Sequence, residues 1–430
     1  MTSEHHRPAA TEGRTLGADF WKFWIGQTLS NLGSSVTRFL LPLLIFRLTG
    51  SALDLSLATA ASFLPYPLFG LFIGAWVDRV DRKRLMIATD IARAALVATI
   101  PLLAAVGGLT VWWLYIVAFL NSTLAICFDA AEFSAIPSLV RSDDLVAANG
   151  QIQASYSAAA IIGPLLVSPL LLLFSPATVL TINAVTYGVS ALALVLIHRS
   201  FNGATAARAV SSIRRDIAEG LRYVLGHPVL RAISAMMLLV NFVMTTQSAQ
   251  LVLFAKDRLA ASDAQVSVFY SAGSIGVVVL SLLAGRLRRR WSFSRIALGT
   301  LMLSGLLGIA LAYSPTYPVA VGLWAIISGL GILFNINTGS LRQAIVPNAL
   351  LGRVISVAMV LANSVSPLGA LVGGLAIERT GNVALVYAAI GALTFLIALA
   401  FAFTALGHAE RYLPGGRDEE AAGELTPVTS

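Results

Sequence analysis

Charge is scarce in this sequence. Asp, Glu, Lys and Arg make up 12% of its 430 residues, against the roughly 25% with which a soluble domain covers its surface. Most of the molecular surface must therefore face something other than water. Cysteine is nearly absent. Cys127 stands alone, which excludes a disulfide framework and argues against a structural zinc site. Lysine occurs only at Lys22, Lys83 and Lys256, and none ends a Gly-x-x-x-x-Gly-Lys-Ser/Thr loop, so nothing here cradles ATP phosphates. His5, His6, His198, His227 and His408 all fall outside the centres of the apolar runs. With no His-Glu-x-x-His and no Gly-x-Ser-x-Gly, the chain does not read as an enzyme, and no metal or cofactor is expected. Residues 1–19 lack the apolar core of a signal peptide, so no cleavage is expected.

What the chain has is apolar length. Hydrophobic residues make up 57% of it and the mean hydropathy is +0.81. A helix needs about 20 apolar residues to cross a bilayer core. Twelve such stretches can be read, at 20–46, 52–77, 84–107, 111–134, 146–173, 177–198, 229–255, 263–286, 294–314, 318–341, 352–377 and 383–407. Backbone groups cannot stay unpaired in lipid, and the runs are too long and too little alternating for barrel strands. The expected fold is an all-α membrane protein of twelve transmembrane helices.

The +8 net charge reads as topology rather than as a nucleic-acid surface. If the first helix runs from inside to outside, 23 of the 29 Lys and Arg fall on the cytoplasmic side, Arg342 and Arg353 among them. Arg38 and Arg93 fall inside helices. This is the positive-inside pattern, and it places both termini in the cytoplasm of a cell with the chain in its plasma (inner) membrane. The expected organisation is a disordered terminus at 1–19, a six-helix bundle at 20–198, a linker at 199–228, a second bundle at 229–407 and a disordered tail at 408–430. In the linker, Ile213, Ile217, Leu221 and Val224 share one helical face. That helix can lie on the inner leaflet or dock beneath the bundle.

The two bundles repeat each other. The stretch Gly74 to Arg84 lines up with Gly285 to Arg295, Ala-Ile-Pro137 with Ala-Ile-Val-Pro347, and Gly163-Pro164-Leu165 with Ser366-Pro367-Leu368. Parallel repeats of this kind place a substrate site between the halves near mid-membrane.

Between the second and third spans runs Gly74-Ala-Trp-Val-Asp78-Arg79-Val-Asp81-Arg82-Lys83-Arg84. It resembles the signature loop of the major facilitator superfamily, with Asp81 where the general pattern has Gly. That change, with Gly26 to Gly33, Leu48 to Ala52, Phe128-Asp129, Ile136-Pro137 and Ala148-Asn149, resembles the branch holding enterobactin exporters and macrolide efflux proteins. The resemblance implies two pseudo-symmetric six-helix bundles and a monomer. It implies a proton-coupled antiporter that exports drugs or amphipathic secondary metabolites by alternating access, a multidrug-resistance function. A narrow siderophore or metabolite exporter, or a non-transporting receptor on the same fold, is the alternative. It also implies a latch in which Asp78 faces the helix start near Leu351 to Arg353 and Arg82 faces Asp129, with Gly74 and Arg79 in the same loop. A plain topology anchor is the other reading of this loop. Gly163-Pro164 resembles part of an exporter motif but continues into Val167-Ser168-Pro169 instead of Gly-Gly. With Pro367 it marks a kink.

A charge at the centre of a membrane helix costs about 2.5–3.5 kcal/mol on insertion scales and is a functional candidate by default. Asp90 and Arg93, at i and i+3, can pair or relay protons. Asp129 and Glu132 share a face. Asp90, Asp129 and Glu132 are thus the proton-coupling candidates. Gln27, Asn31, Ser34 or Ser35, and Arg38 form one polar stripe. Arg38 either attracts an anionic group or snorkels to headgroups. Asn241 and Gln247, with Met244 as flexible apolar surface, mark the seventh span. Asn121, Gln153, Tyr156, Tyr270, Asn335 and Asn363 add polar groups that either line a cavity or bond between helices.

Overall fold

The computed structural model describes residues 17–77, 79–141, 144–201 and 213–412. Among them the chain is helical, with no strand. The first half comprises α1 (Ala18–Thr49), α2 (Ala52–Phe63), α3 (Pro65–Val77), α4 (Arg82–Ala105), α5 (Val111–Leu139), α6 (Leu145–Leu173) and α7 (Pro176–Val195). A connecting helix, α8 (Ile213–Gly226), leads to α9 (Pro228–Ala249), which α10 (Leu251–Leu253) and a π turn (Phe254–Arg258) prolong. Then follow α11 (Asp263–Arg290), α12 (Phe293–Ala312), α13 (Tyr317–Ile345), α14 (Asn348–Ser364), α15 (Ser366–Thr380) and α16 (Val383–Ala402).

Eleven segments of these helices are long and apolar enough to cross a bilayer. The expected span 52–77 is not among them, because it is divided into α2 and α3. Pro65 and Pro67 lack the amide hydrogens that would bond back into the preceding turn. Leu64 nevertheless keeps helical dihedrals, so the two pieces form one kinked crossing. Pro367 has the same effect on the eleventh crossing, which breaks at Val365 between α14 and α15.

Helix starts follow capping chemistry. Ser51, Thr110, Ser175, Ser292 and Asn382 each accept the amide three residues on, satisfying a donor with no intrahelical partner. Ser262 and Gln265 complete a capping box at α11. Asp81, the departure from the family loop, caps α4 by accepting from the Arg84 amide at 2.9 Å.

The even number of crossings brings both described termini to one end, the end rich in arginine, here called the basic end. At the opposite, far end the two bundles share a single apolar core. Phe39, Leu43 and Leu55 of the first half pack in it with Leu251, Phe254, Phe269 and Tyr387 of the second. Toward the basic end the cores separate. Phe20, Phe23, Phe128 and Phe201 gather in the first bundle, and Met236, Phe293, Phe334 and Leu406 in the second.

The far-end seal is also polar. Arg47, closing α1, pairs with Asp263, opening α11, and Lys256 pairs with the same carboxylate. Deeper in, the Gln250 amide donates to the Ala52 carbonyl and the Ser56 hydroxyl, each at 2.7 Å. Near mid-membrane, Ser274 donates to the Ala160 carbonyl at 2.8 Å.

Two expectations about the connecting and terminal segments are refined. In α8, Val224 is buried with Leu230, Val346 and Val354, so its described part docks on the second bundle, against α14. The tail expected to be disordered from 408 is ordered at its start. Ala405–Tyr412 forms a 3-10 stretch in which Leu406 and Ala409 are buried, and the Glu410 carboxylate accepts from the Ser294 amide and hydroxyl at 3.0 and 2.7 Å. Residues 1–16 and 413–430 lie outside the described residues.

Candidate functional site

The charged residues inside the first bundle converge. Arg93 and Asp90 share α4, yet they do not pair. The Arg93 Nη2 donates to the Tyr187 hydroxyl of α7 at 2.6 Å, and its Nε donates to the Asn121 side-chain oxygen of α5 at 3.3 Å. Its guanidinium also stacks over the Tyr187 ring, 4.2 Å from the centroid, a cation–π contact. Three groups on two other helices out-compete a carboxyl one turn away. Asp90 is left fully buried, with neither carboxyl oxygen in bonding geometry. The nearby Ser190 hydroxyl accepts from Gln27 at 3.0 Å, which leaves its O–H free to turn toward the Asp90 carboxyl.

Asp129 and Glu132 lie one turn apart on α5 with different surroundings. Asp129 is exposed and sits in the combined field of Arg93 and Arg38. Glu132 is 4% exposed. One of its oxygens accepts from the Tyr156 hydroxyl of α6 at 2.8 Å, and the other has no partner. Arg38 is exposed and acts on both Asp129 and Tyr66. Asp90, Arg93, Asp129, Glu132, Arg38 and Tyr156 thus form one electrostatic cluster.

The other polar candidates divide. Gln153 and Asn335 are exposed, Tyr156 is 37% exposed, and Asn31 is half-buried with an unpartnered amide nitrogen. Others hold helices together. Asn241 donates to the Ala362 carbonyl of α14 at 2.9 Å. Asn363 bonds within its own helix, to the Met359 carbonyl. Gln27 joins α1 to α7 as above. Tyr270 packs edge-on against Phe39 across the bundles, with centroids 5.2 Å apart. Gln247 is buried with its amide nitrogen unpartnered, and Met244 packs into the second-bundle core.

Asp78 lies outside the described residues, as do the side chains of Leu351 and Arg353. Gly74 lies in the last turn of α3 and Arg79 is exposed. Arg82 reaches α5 one turn beyond Asp129, donating to the Ser134 carbonyl at 3.1 Å and to the Phe201 carbonyl at 3.4 Å. Among the described residues no ion pair joins it to Asp129. Lys83 and Lys22 donate to carbonyls at the end of α7, those of Ile197 and Leu196, where cations are favoured. The basic loop therefore clamps the ends of α5 and α7. On α6, Gly163 lies so close to α1 that a Cβ there would stand 2.6 Å from the Ser35 side chain, and Pro164 is buried.

Sequence reasoning missed three features. Tyr187, the hub for Arg93, carried no signal beyond a tyrosine in an apolar run. The Arg47–Asp263 pair joins residues 216 positions apart. Arg342 was grouped with the surface cations, yet only 8% of it is exposed.

Two kink-bearing six-helix halves, sealed together at one end and holding buried charges at membrane depth, define a membrane transporter. Residues 17–414 match the family of transmembrane secretion effectors, and the chain belongs to that branch of the major facilitator superfamily. It is 26% identical to macrolide efflux protein A of Streptococcus pyogenes over 369 residues, covering 84% of this chain and 90% of the relative. It is 29% identical to the multidrug efflux pump Tap of Mycobacterium tuberculosis over 370 residues, covering 81% and 84%. A crystal structure of the nucleoside transporter NupG superposes with a TM-score of 0.73 over 91% of this chain and 99% of that one, at 17% identity.

Proposed function

We propose that this protein is a proton-coupled exporter of drugs or amphipathic secondary metabolites, working by alternating access from the cytoplasmic membrane. The observation that carries the reading is the acidic cluster of the first bundle. Asp129 is accessible, Glu132 lies buried one turn away, and Asp90 is buried behind them, with Arg93 and Arg38 setting the field. Three carboxyls at membrane depth offer reversible protonation where each charge is costly. Similarity to macrolide and multidrug efflux proteins supports export as the direction. The basic end is then the cytoplasmic face, and the far-end seal makes this conformation closed to the outside.

In this reading a substrate enters from the basic end, between the separated cores. Rocking of one bundle against the other breaks the far-end seal and closes the basic end, where the Gly74–Arg84 loop serves as the latch. The membrane potential supplies about 2.3 kcal/mol per charge per 100 mV, enough for accumulation ratios of tens.

The test is extrusion of a fluorescent dye from energised cells, with and without a protonophore. Wild type should extrude until the protonophore is added. Asp129→Asn and Glu132→Gln, expressed to the same level, should extrude at a tenth of the rate or less. Unchanged extrusion in both variants, together with an unchanged rate for Asp90→Asn, would remove the coupling role from the cluster.

A further inference from the structure

Arg342 sits in the last turn of α13, where a cation ordinarily serves topology. Yet it is 8% exposed, and among the described residues its one hydrogen bond runs from Nη2 to the Met237 sulfur of α9, at 3.0 Å. A guanidinium carries five N–H donors and a permanent charge, and a thioether is a weak acceptor for one of them. α13 packs against α11 and α12, and the side chain reaches across to α9.

The acids of its own bundle are placed or held elsewhere, Glu410 at the basic end by the Ser294 amide and hydroxyl. Between 229 and 407 the acids are Asp257, Asp263 and Glu378. They lie in the π turn, at the first residue of α11 and near the end of α15, all at the far end. The other intramembrane arginines are better provided. Arg93 has Tyr187 and Asn121, and Arg38 has Asp129 in its field. Burying an unpaired charge is costly even after relaxation, so a buried guanidinium whose described partner is a thioether favours an anion beside it.

The surroundings state the rest of the partner's chemistry. Met237, Asn241 and Met244 fall at i, i+4 and i+7, one face of α9. Met237 and Met244 pack beside Phe334 and Leu341, and thioethers accommodate irregular apolar shapes. We propose that Arg342 binds the carboxylate or other single anionic group of an amphipathic substrate whose apolar body lies beside the Met237 thioether. This deepens the transport reading and rests on it, because it names the substrate class that the second bundle selects.

The experiment uses the full chain in phosphatidylcholine nanodiscs and compares 1-pyrenebutyrate with its methyl ester by fluorescence titration. The acid should bind at least tenfold more tightly than the ester in wild type. Arg342→Gln should bring the two within twofold while leaving ester affinity unchanged. Arg342→Lys should keep part of the preference, since the charge stays and the planar fork is lost. Equal affinities in wild type, or a preference that survives in Arg342→Gln, overturns the inference. If Arg342→Gln does not fold, the wild-type ratio and Arg342→Lys still decide it. Displacement of the acid by phosphatidylglycerol added to the nanodisc would assign the cation to a lipid headgroup and overturn the substrate assignment. A bound ester with no acid preference removes this inference alone. Failure of the chain to bind or transport either probe removes the transport reading with it.

Discussion

Gly163 shows at the scale of one residue how α6 meets α1. A Cβ there would stand 2.6 Å from both side-chain atoms of Ser35, closer than real Cβ contacts allow, and backbone lies behind at 3.4 Å. Overpacking of this kind costs about 1–3 kcal/mol. Gly163→Ala should therefore lower the melting temperature in detergent and slow extrusion, and adding Ser35→Gly should restore both. A double variant no better than the single one would show that Gly163 serves backbone flexibility instead. The same scale shows what could not be read ahead. The i, i+3 spacing of Asp90 and Arg93 is local and visible in sequence. The competing Tyr187 lies 94 positions away, and its advantage comes from a donor geometry plus a ring face that only the packed helices assemble. Asp129 and Glu132 were legible as acids on one face. That one is exposed and the other buried depends on how α6 covers α5.

Elements were more legible than residues, because apolar length and capping are local. All twelve crossings were visible, and so was the loop between the second and third. The break at Leu64 was not, although Pro65 and Pro67 stood in plain view, whereas a kink is expected from sequence at Pro367, beside the break at Val365. A proline in a membrane helix can kink it or be absorbed by its neighbours, and packing decides which. The ordered start of the tail was also missed, since its anchor is tertiary. Glu410 meets the N-terminus of α12, where backbone amides and the helix dipole favour an anion. Burial raises its pKa, but the bonds from the Ser294 amide and hydroxyl outweigh that and hold the carboxyl below the usual glutamate range. The folded-state pKa is thus the lower one. The docking contribution is complete above the ordinary value near ~4.3 and is lost as pH falls through the depressed value. Amide exchange over 405–412 should rise on acidification in that window. Glu410→Gln should exchange faster at neutral pH and lose the acid-dependent step, whereas an acid step retained in Glu410→Gln would place the titration elsewhere.

At the scale of the whole molecule, the proposed alternating access would require the far-end seal to be strong enough to close and weak enough to open. Its apolar part joins both bundles in one core, and its rim is the carboxylate of Asp263 held by Arg47 from the other bundle and by Lys256 from its own. The rim arginine is 47% exposed at its side chain, and such pairs contribute about 0.2–1 kcal/mol, enough to tilt a balance between two conformations by about 1.4- to 5-fold. This arrangement separates two otherwise similar substitutions. Arg47→Gln cuts the only rim pair described that crosses between bundles, so it should raise the reactivity of a cysteine placed at Ala52, in a Cys127→Ala background, toward an impermeant thiol reagent presented to the far-end face. Lys256→Gln removes a pair within one bundle and should leave that reactivity near wild type. Asp263→Asn should match Arg47→Gln, because both lose the same crossing contact. Higher salt should erase the difference between wild type and Arg47→Gln, since exposed pairs are screened. Equal reactivity in Arg47→Gln and wild type at low salt would mean that the apolar core and the Gln250 bonds to Ala52 and Ser56 close the far end without help from its charges.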